Sequence, residues 1–130
     1  MAVNRIGDKK IYNLDERTLR FAKDVMDFVG ILLRTLPNTE VIKQLVRSAG
    51  SIGANYIEAS ESLGKKDFGM RIKICRKEAK ETIYWLKLLQ VKGNTAEKRR
   101  EVLISEAVEL MRIFGAIVSR TTSQNPDVRV

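Results

Sequence analysis

Hydrophobic positions recur at intervals of three and four residues along most of the chain, the spacing that places apolar side chains on one face of an α-helix. Four segments show this pattern, at about residues 15–36, 40–63, 67–92 and 95–120. No stretch alternates between polar and apolar residues for long enough to predict a β-strand. The connections between segments are short, which favours antiparallel neighbours. The sequence therefore predicts an all-α fold, an antiparallel up-down-up-down four-helix bundle formed by residues 1–130 as a single domain.

Proline and capping residues set the predicted ends of the helices. Pro37 is expected to end the first helix, because proline lacks an amide donor and disfavours helix in the residue before it. Asn38 or Thr39 would then cap the second helix. The fourth helix is predicted to start at Asn94, and residues 121–130, which lack a helical period, are expected to be frayed.

Two predicted helices carry large apolar residues on a second face, away from the expected core. In the first helix the expected core face contains Leu19, Met26 and neighbours at helical spacing. The second face of the first and third helices consists of Phe21, Phe28, Ile31, Met70, Ile74, Trp85 and Leu88. Such a face would be unfavourable in water, and aromatic residues are enriched at protein contacts, so it is predicted to be the interface of a homo-oligomer. The alternative is a shifted helical phase in which one broad core absorbs both sets.

The charge balance is strongly basic. The chain has 24 Lys and Arg against 16 Asp and Glu, giving a formal net charge of +8 and a pI near 9.8. A basic surface attracts phosphate-rich partners, chiefly nucleic acid or anionic lipid headgroups. The candidate nucleic-acid-binding residues lie opposite the core face of the third helix, with a possible extension at the start of the fourth. They are Lys66, Lys73, Arg76, Lys77, Lys80 and Lys87, followed by Lys98, Arg99 and Arg100. A solvated face that only maintains solubility is the alternative.

The residue types present argue against an enzyme. The chain has no histidine, which removes the commonest general base and every His-containing metal site. Its one cysteine, Cys75, falls on the core face of the third helix and is interpreted as a small buried hydrophobe. A catalytic alternative would use paired carboxylates, namely Glu58, Glu61, Glu78 and Glu81. Ion pairs between such carboxylates and arginine are commoner in helical bundles. The sequence therefore predicts a non-enzymatic protein without cofactor or metal.

Neither a secretory signal peptide nor a membrane span is expected from the sequence. The first ten residues have no apolar core of the kind found in signal peptides. Arg34, Lys43 and Arg47 interrupt the most apolar stretches, so no membrane span is predicted. A single cysteine fits a reducing compartment, and the expected location is the cytoplasm.

Two segments resemble the bacterial four-helix-bundle family of 23S ribosomal RNA intervening-sequence proteins. They are LPNTEVIKQLVRSAGSIGANYIEASES and DFGMRIKICRKEAKETIYWLKLL. The matching positions of the second helix are Arg47, Ser51, Ile52, Asn55 and Glu58, and those of the third are Phe68 and Glu81. The resemblance extends over about residues 14–114.

The resemblance implies a small bundle that assembles as a homopentamer. In this family some members are encoded within inserts of ribosomal RNA genes. A related branch, the variability-determinant proteins of diversity-generating retroelements, assists a reverse transcriptase through a basic surface. We therefore expect an oligomer that binds nucleic acid, RNA before DNA. The alternative is a protein-interaction scaffold or accessory subunit, for example of a polymerase or reverse transcriptase. Three polar residues at family positions are expected to stabilise the contact between the second and third helices: Asn55, Glu58 and Glu81.

Overall fold

The structure, a computed structural model, describes residues 13–123 and contains four α-helices. These are α1 (Leu14–Val29), α2 (Leu36–Ser60), α3 (Lys65–Leu88) and α4 (Asn94–Ser123). Each helix packs antiparallel to the next one along the chain, and α4 returns to pack against α1. The described part of the chain has no strand. The prediction of an all-α, up-down-up-down four-helix bundle is confirmed.

The predicted helix boundaries differ most from the structure between α1 and α2. α1 ends at Val29, and α2 already begins at Leu36, before Pro37. Thr35 caps α2, because its Oγ1 accepts a hydrogen bond from the N–H of Asn38 at 3.2 Å. Pro37 lies in the first turn of α2, where an N–H has no helical partner and proline is well tolerated. The prediction that Pro37 ends a helix is therefore wrong. At the other end of the chain, α4 extends to Ser123, while residues 124–130 lie outside the described residues.

The helical phase predicted for α1 is also wrong. Phe21 and Phe28 are 2% and 0% exposed and lie at the centre of the core, not on a second face. Leu19 and Met26, expected in the core, are more than half exposed. α1 is apolar on both sides, and burying its two phenylalanines removes more apolar surface from water than burying Leu19 and Met26 would. Thr18 is buried with the phenylalanines. Its hydroxyl donates a hydrogen bond to the carbonyl of Leu14 at 2.7 Å.

Small residues in α2 allow a close approach of α1. A methyl group added at Gly53 would lie 2.8 Å from Oγ1 of Thr18, so a larger residue requires a shift of Thr18 or of its helix. On the α3 and α4 side, the core faces agree with the sequence pattern: Cys75, Ala79, Leu86, Leu103, Ala107, Leu110 and Phe114 are all buried. α3 packs against both α2 and α4, and this packing fixes the position of its outer surface.

Candidate nucleic-acid interface

Four lysines form a line along the outer face of α3. Lys66, Lys73, Lys80 and Lys87 are seven residues apart and exposed. Seven residues are close to two helical turns, so successive lysines are about 10 Å apart along the helix axis. Among the described residues, no carboxylate forms an ion pair with any of the four. We call these four residues the lysine line.

Lys77 lies beside this line but belongs to a different cluster. Its Nζ is 3.7 Å from Glu78 and 3.8 Å from Glu81. Arg47 of α2 contacts the same two carboxylates, with 3.4 Å to Glu78 and 2.7 Å to Glu81. Two cations and two anions balance, so this cluster ties α2 to α3 and adds little to the positive field of the face. The sequence pattern could not separate Lys77 from the lysine line, because both lie opposite the core.

Of the three expected basic residues of α4, one is structural. Arg100 is a half-buried residue whose guanidinium donates to the carbonyls of Leu86 and Leu89, at 3.2 and 2.7 Å, near the C-terminal end of α3. It also contacts the carboxylate of Glu97 at 3.0 Å. The last carbonyls of a helix lack partners within the helix, and a cation there is favourable. The guanidinium of Arg100 therefore has partners at the end of α3, and its part in the basic face stays a prediction.

The other basic candidates lie at the edges of α3 or away from it. Arg76 is exposed and reaches towards α4, with its Nε 3.7 Å from the position of a Cβ on Gly115. Arg99 faces α1 instead, with its guanidinium carbon 5.8 Å from the ring centre of Phe28. Lys98 and Arg99 line a shallow groove together with Asp24 and Asp27 of α1. This mixed-charge groove is separate from the lysine line.

A tyrosine that the sequence analysis missed lies within the lysine line. Tyr84 is 58% exposed and has Lys80 and Lys87 one turn away on either side. Its ring meets the indole of Trp85 edge to face, with centroids 4.9 Å apart and planes at 73°. Trp85 is half-buried against the core, and its Nε1 has no hydrogen-bond partner among residues 13–122, so packing alone holds the indole. The exposed position of Tyr84 opposite Cys75 could have been found from helical spacing.

The structure exposes two apolar surfaces, one on α3 and one between α1 and α2. The first lies on α3 and consists of Met70 and Leu88, with the half-buried Ile74 and Trp85 beside them. We call it the α3 ridge. The second is a groove between α1 and α2, lined by Leu19, Ala22, Gly50, Ala54 and Ile57. We call it the α1–α2 groove. Ile31, also predicted for an oligomer interface, is exposed just after α1.

Two of the three polar family residues link α2 to α3. Asn55 accepts a hydrogen bond from Arg71 at 3.3 Å and donates to the carbonyl of Ser51 at 2.9 Å. Glu81 pairs with Arg47. The side chain of Glu58 is exposed and forms no ion pair within the described part of the chain, so its expected role in this contact has no counterpart.

No arrangement suited to metal chemistry occurs in the described residues. No group of three or more Cys, Asp or Glu side chains there is placed to hold a metal ion. Burial of Cys75 raises the pKa of its thiol to about 12, so it carries almost no thiolate near neutral pH. Between residues 13 and 123, no helix combines the length and the apolar character that crossing a membrane requires.

These features define a class of protein, a small antiparallel helical bundle with a basic outer helix. Residues 12–116 match the family described as 23S rRNA-intervening sequence protein, and the chain belongs to that family. A crystal structure from Bacteroides thetaiotaomicron VPI-5482, described as a protein with unknown function from the S23 ribosomal protein family, is similar with a TM-score of 0.71 and 28% identity. The similarity covers 82% of this chain and 98% of that chain. No curated protein matches the chain.

Proposed function

We propose that this protein is a non-enzymatic, oligomeric nucleic-acid-binding protein that contacts phosphates through the lysine line of α3. The observation that carries the proposal is a row of four exposed lysines without carboxylate partners in the described structure. Lysines free of ion pairs can neutralise phosphates and release their counterions, which is the main source of sequence-independent affinity. The family's name refers to sequences within 23S rRNA, which favours RNA over DNA.

The same proposal includes self-association. The α1–α2 groove and the α3 ridge are different surfaces on different helices, and both expose apolar side chains to water. If the ridge of one copy enters the groove of the next, the contact is head to tail, and such contacts form a ring when the rotation between copies closes. Gly50 and Ala54 line the groove without large side chains, so a neighbouring helix can approach its backbone closely. The family resemblance implies five subunits.

The binding proposal is tested by reversing charges on the lysine line. In the variant Lys73→Glu, Lys80→Glu, Lys87→Glu, we expect the affinity for RNA to fall at least about tenfold. The control variant Arg20→Glu, Lys23→Glu, Lys43→Glu changes net charge by the same amount at exposed positions of α1 and α2. It should retain most of the binding if the lysine line is the site.

The measurement is fluorescence anisotropy with labelled RNA at several salt concentrations. For single-stranded RNA each lost phosphate contact reduces the log–log salt slope by about 0.7, so the triple variant should lose about two units of slope. Equal affinity of the parent and the lysine-line variant would refute the proposal, as would absence of binding by the parent. Either result would favour the alternative, a protein-interaction scaffold or accessory subunit that uses the exposed α1–α2 groove.

A further inference from the structure

Tyr84 is an uncharged residue on a surface proposed to bind phosphates through lysines, so electrostatic attraction does not explain its position. It lies on the line between Lys80 and Lys87 and is 58% exposed, so it adds little to the core. A single exposed aromatic residue needs no explanation on an ordinary surface. Here, however, the ring lies between cations on a face that is otherwise suited to a polyanion.

The ring of Tyr84 also packs against a neighbouring aromatic side chain. The edge-to-face contact with Trp85, at 4.9 Å between centroids, is a favoured geometry for aromatic pairs. Trp85 in turn packs against the bundle core, so it cannot turn away without disrupting the core. This contact restricts the orientations open to the Tyr84 ring, and a restricted side chain loses less entropy when a ligand stacks on it.

We propose that Tyr84 is a stacking platform for an unpaired base, and that the ligand of the lysine line is single-stranded nucleic acid. This inference rests on the proposed function and specifies its substrate class. Lys80 and Lys87 would contact the phosphates on either side of the stacked nucleotide. Proteins that bind single strands without sequence preference combine a basic groove with aromatic side chains in this way. In a duplex the bases are stacked within the helix, so Tyr84 gains nothing from duplex RNA.

The test compares an unstructured oligouridine with a duplex RNA of the same length. We expect Tyr84→Leu to weaken binding of the oligouridine about tenfold while its binding of the duplex stays close to that of the parent. Tyr84→Phe keeps the ring and should bind both probes like the parent. Lys80→Gln removes a phosphate contact but no ring, so it should weaken the binding of both probes. Thermal unfolding followed by circular dichroism checks that the variants fold.

A second readout does not need a variant. Trp85 is the chain's one tryptophan and contacts the ring of Tyr84, so its fluorescence should change when oligouridine binds and stay constant with duplex RNA. If Tyr84→Leu binds oligouridine like the parent, or if it weakens both probes equally, the stacking inference is overturned while the lysine line stands. If the parent binds neither probe, the proposed function falls, and the inference falls with it.

Discussion

The side-chain amide of Asn38 pairs with the backbone of Gln90 through two hydrogen bonds. Its Nδ2 donates to the carbonyl of Gln90 at 2.9 Å, and its Oδ1 accepts from the N–H of Gln90 at 2.8 Å. The same Nδ2 donates to the carbonyl of Leu33 at 3.1 Å. Asn38 is buried and sits where the α1–α2 and α3–α4 connections meet, so one side chain joins both loops at one end of the bundle.

Asn38→Ala should therefore destabilise the fold far more than loss of a helix cap would. Three backbone groups lose their partner in a partly buried place, and we expect the free energy of unfolding to fall by about 3 kcal/mol. Urea denaturation followed by circular dichroism measures this loss. Thr39→Ala, which removes a hydroxyl bound to the carbonyl of Thr35 at an exposed site, is the matched control and should cost much less. Equal losses for the two variants would contradict the role given to Asn38.

The cluster of Arg47, Lys77, Glu78 and Glu81 should respond unequally to the loss of its members. The side chain of Glu78 is 8% exposed, whereas that of Glu81 is 38% exposed. Arg47→Ala leaves the buried Glu78 carboxylate with only the longer contact to Lys77, and should cost about 2 kcal/mol. Glu81→Ala removes an exposed partner and should cost about 1 kcal/mol or less. If Glu81→Ala lost more stability than Arg47→Ala, burial would not govern the contributions of this cluster.

Head-to-tail assembly can be distinguished from a symmetric dimer by mixing two variants. Leu19→Lys places a charge in the α1–α2 groove, and Leu88→Lys places one on the α3 ridge. Both residues are exposed in the subunit, so folding should change little, but each variant alone should be monomeric by light scattering. A mixture still contains one intact groove and one intact ridge, and should form a mixed dimer. A mixture that remains monomeric would argue against pairing of these two surfaces.

The buried thiol predicts a loss of stability at alkaline pH. Burial raises the pKa of Cys75 from 9.0 to about 12, so above pH 9 the unfolded chain ionises while the folded chain keeps the proton. Stability is therefore fully present below pH 9 and falls, by up to about 1.4 kcal/mol per pH unit from this group, as pH rises towards 12. Cys75→Ala should be less stable at pH 8 but show a shallower decline above pH 9. Parallel stability curves for the two proteins would contradict this assignment.

How much the sequence reveals depends on whether a helix has one apolar face or two. α3 and α4 have a single clear face, and their buried residues follow the predicted spacing, as Cys75 and Leu110 illustrate. α1 is apolar on two sides, and only its neighbours decide that Phe28 faces inwards and Leu19 outwards. The roles of Asn38 and Arg100 could not be predicted, because their partners are backbone groups of distant loops that no residue pattern reveals. Of the basic face, helical spacing identified the lysines, but pairing of Lys77 with carboxylates appears only in three dimensions.

The contact of Arg100 with the end of α3 also bears on the order in which the chain folds. Its hydrogen bonds to Leu86 and Leu89 span 14 and 11 residues, whereas the Asn38–Gln90 bonds span 52. Closing a short loop costs less entropy, so the α3–α4 hairpin is favoured to form before the two ends of the bundle are joined. During synthesis α1 and α2 emerge first. Their apolar faces stay uncovered until the α3–α4 hairpin has been synthesised. We therefore expect the nascent first half of this protein to be its most aggregation-prone species during synthesis.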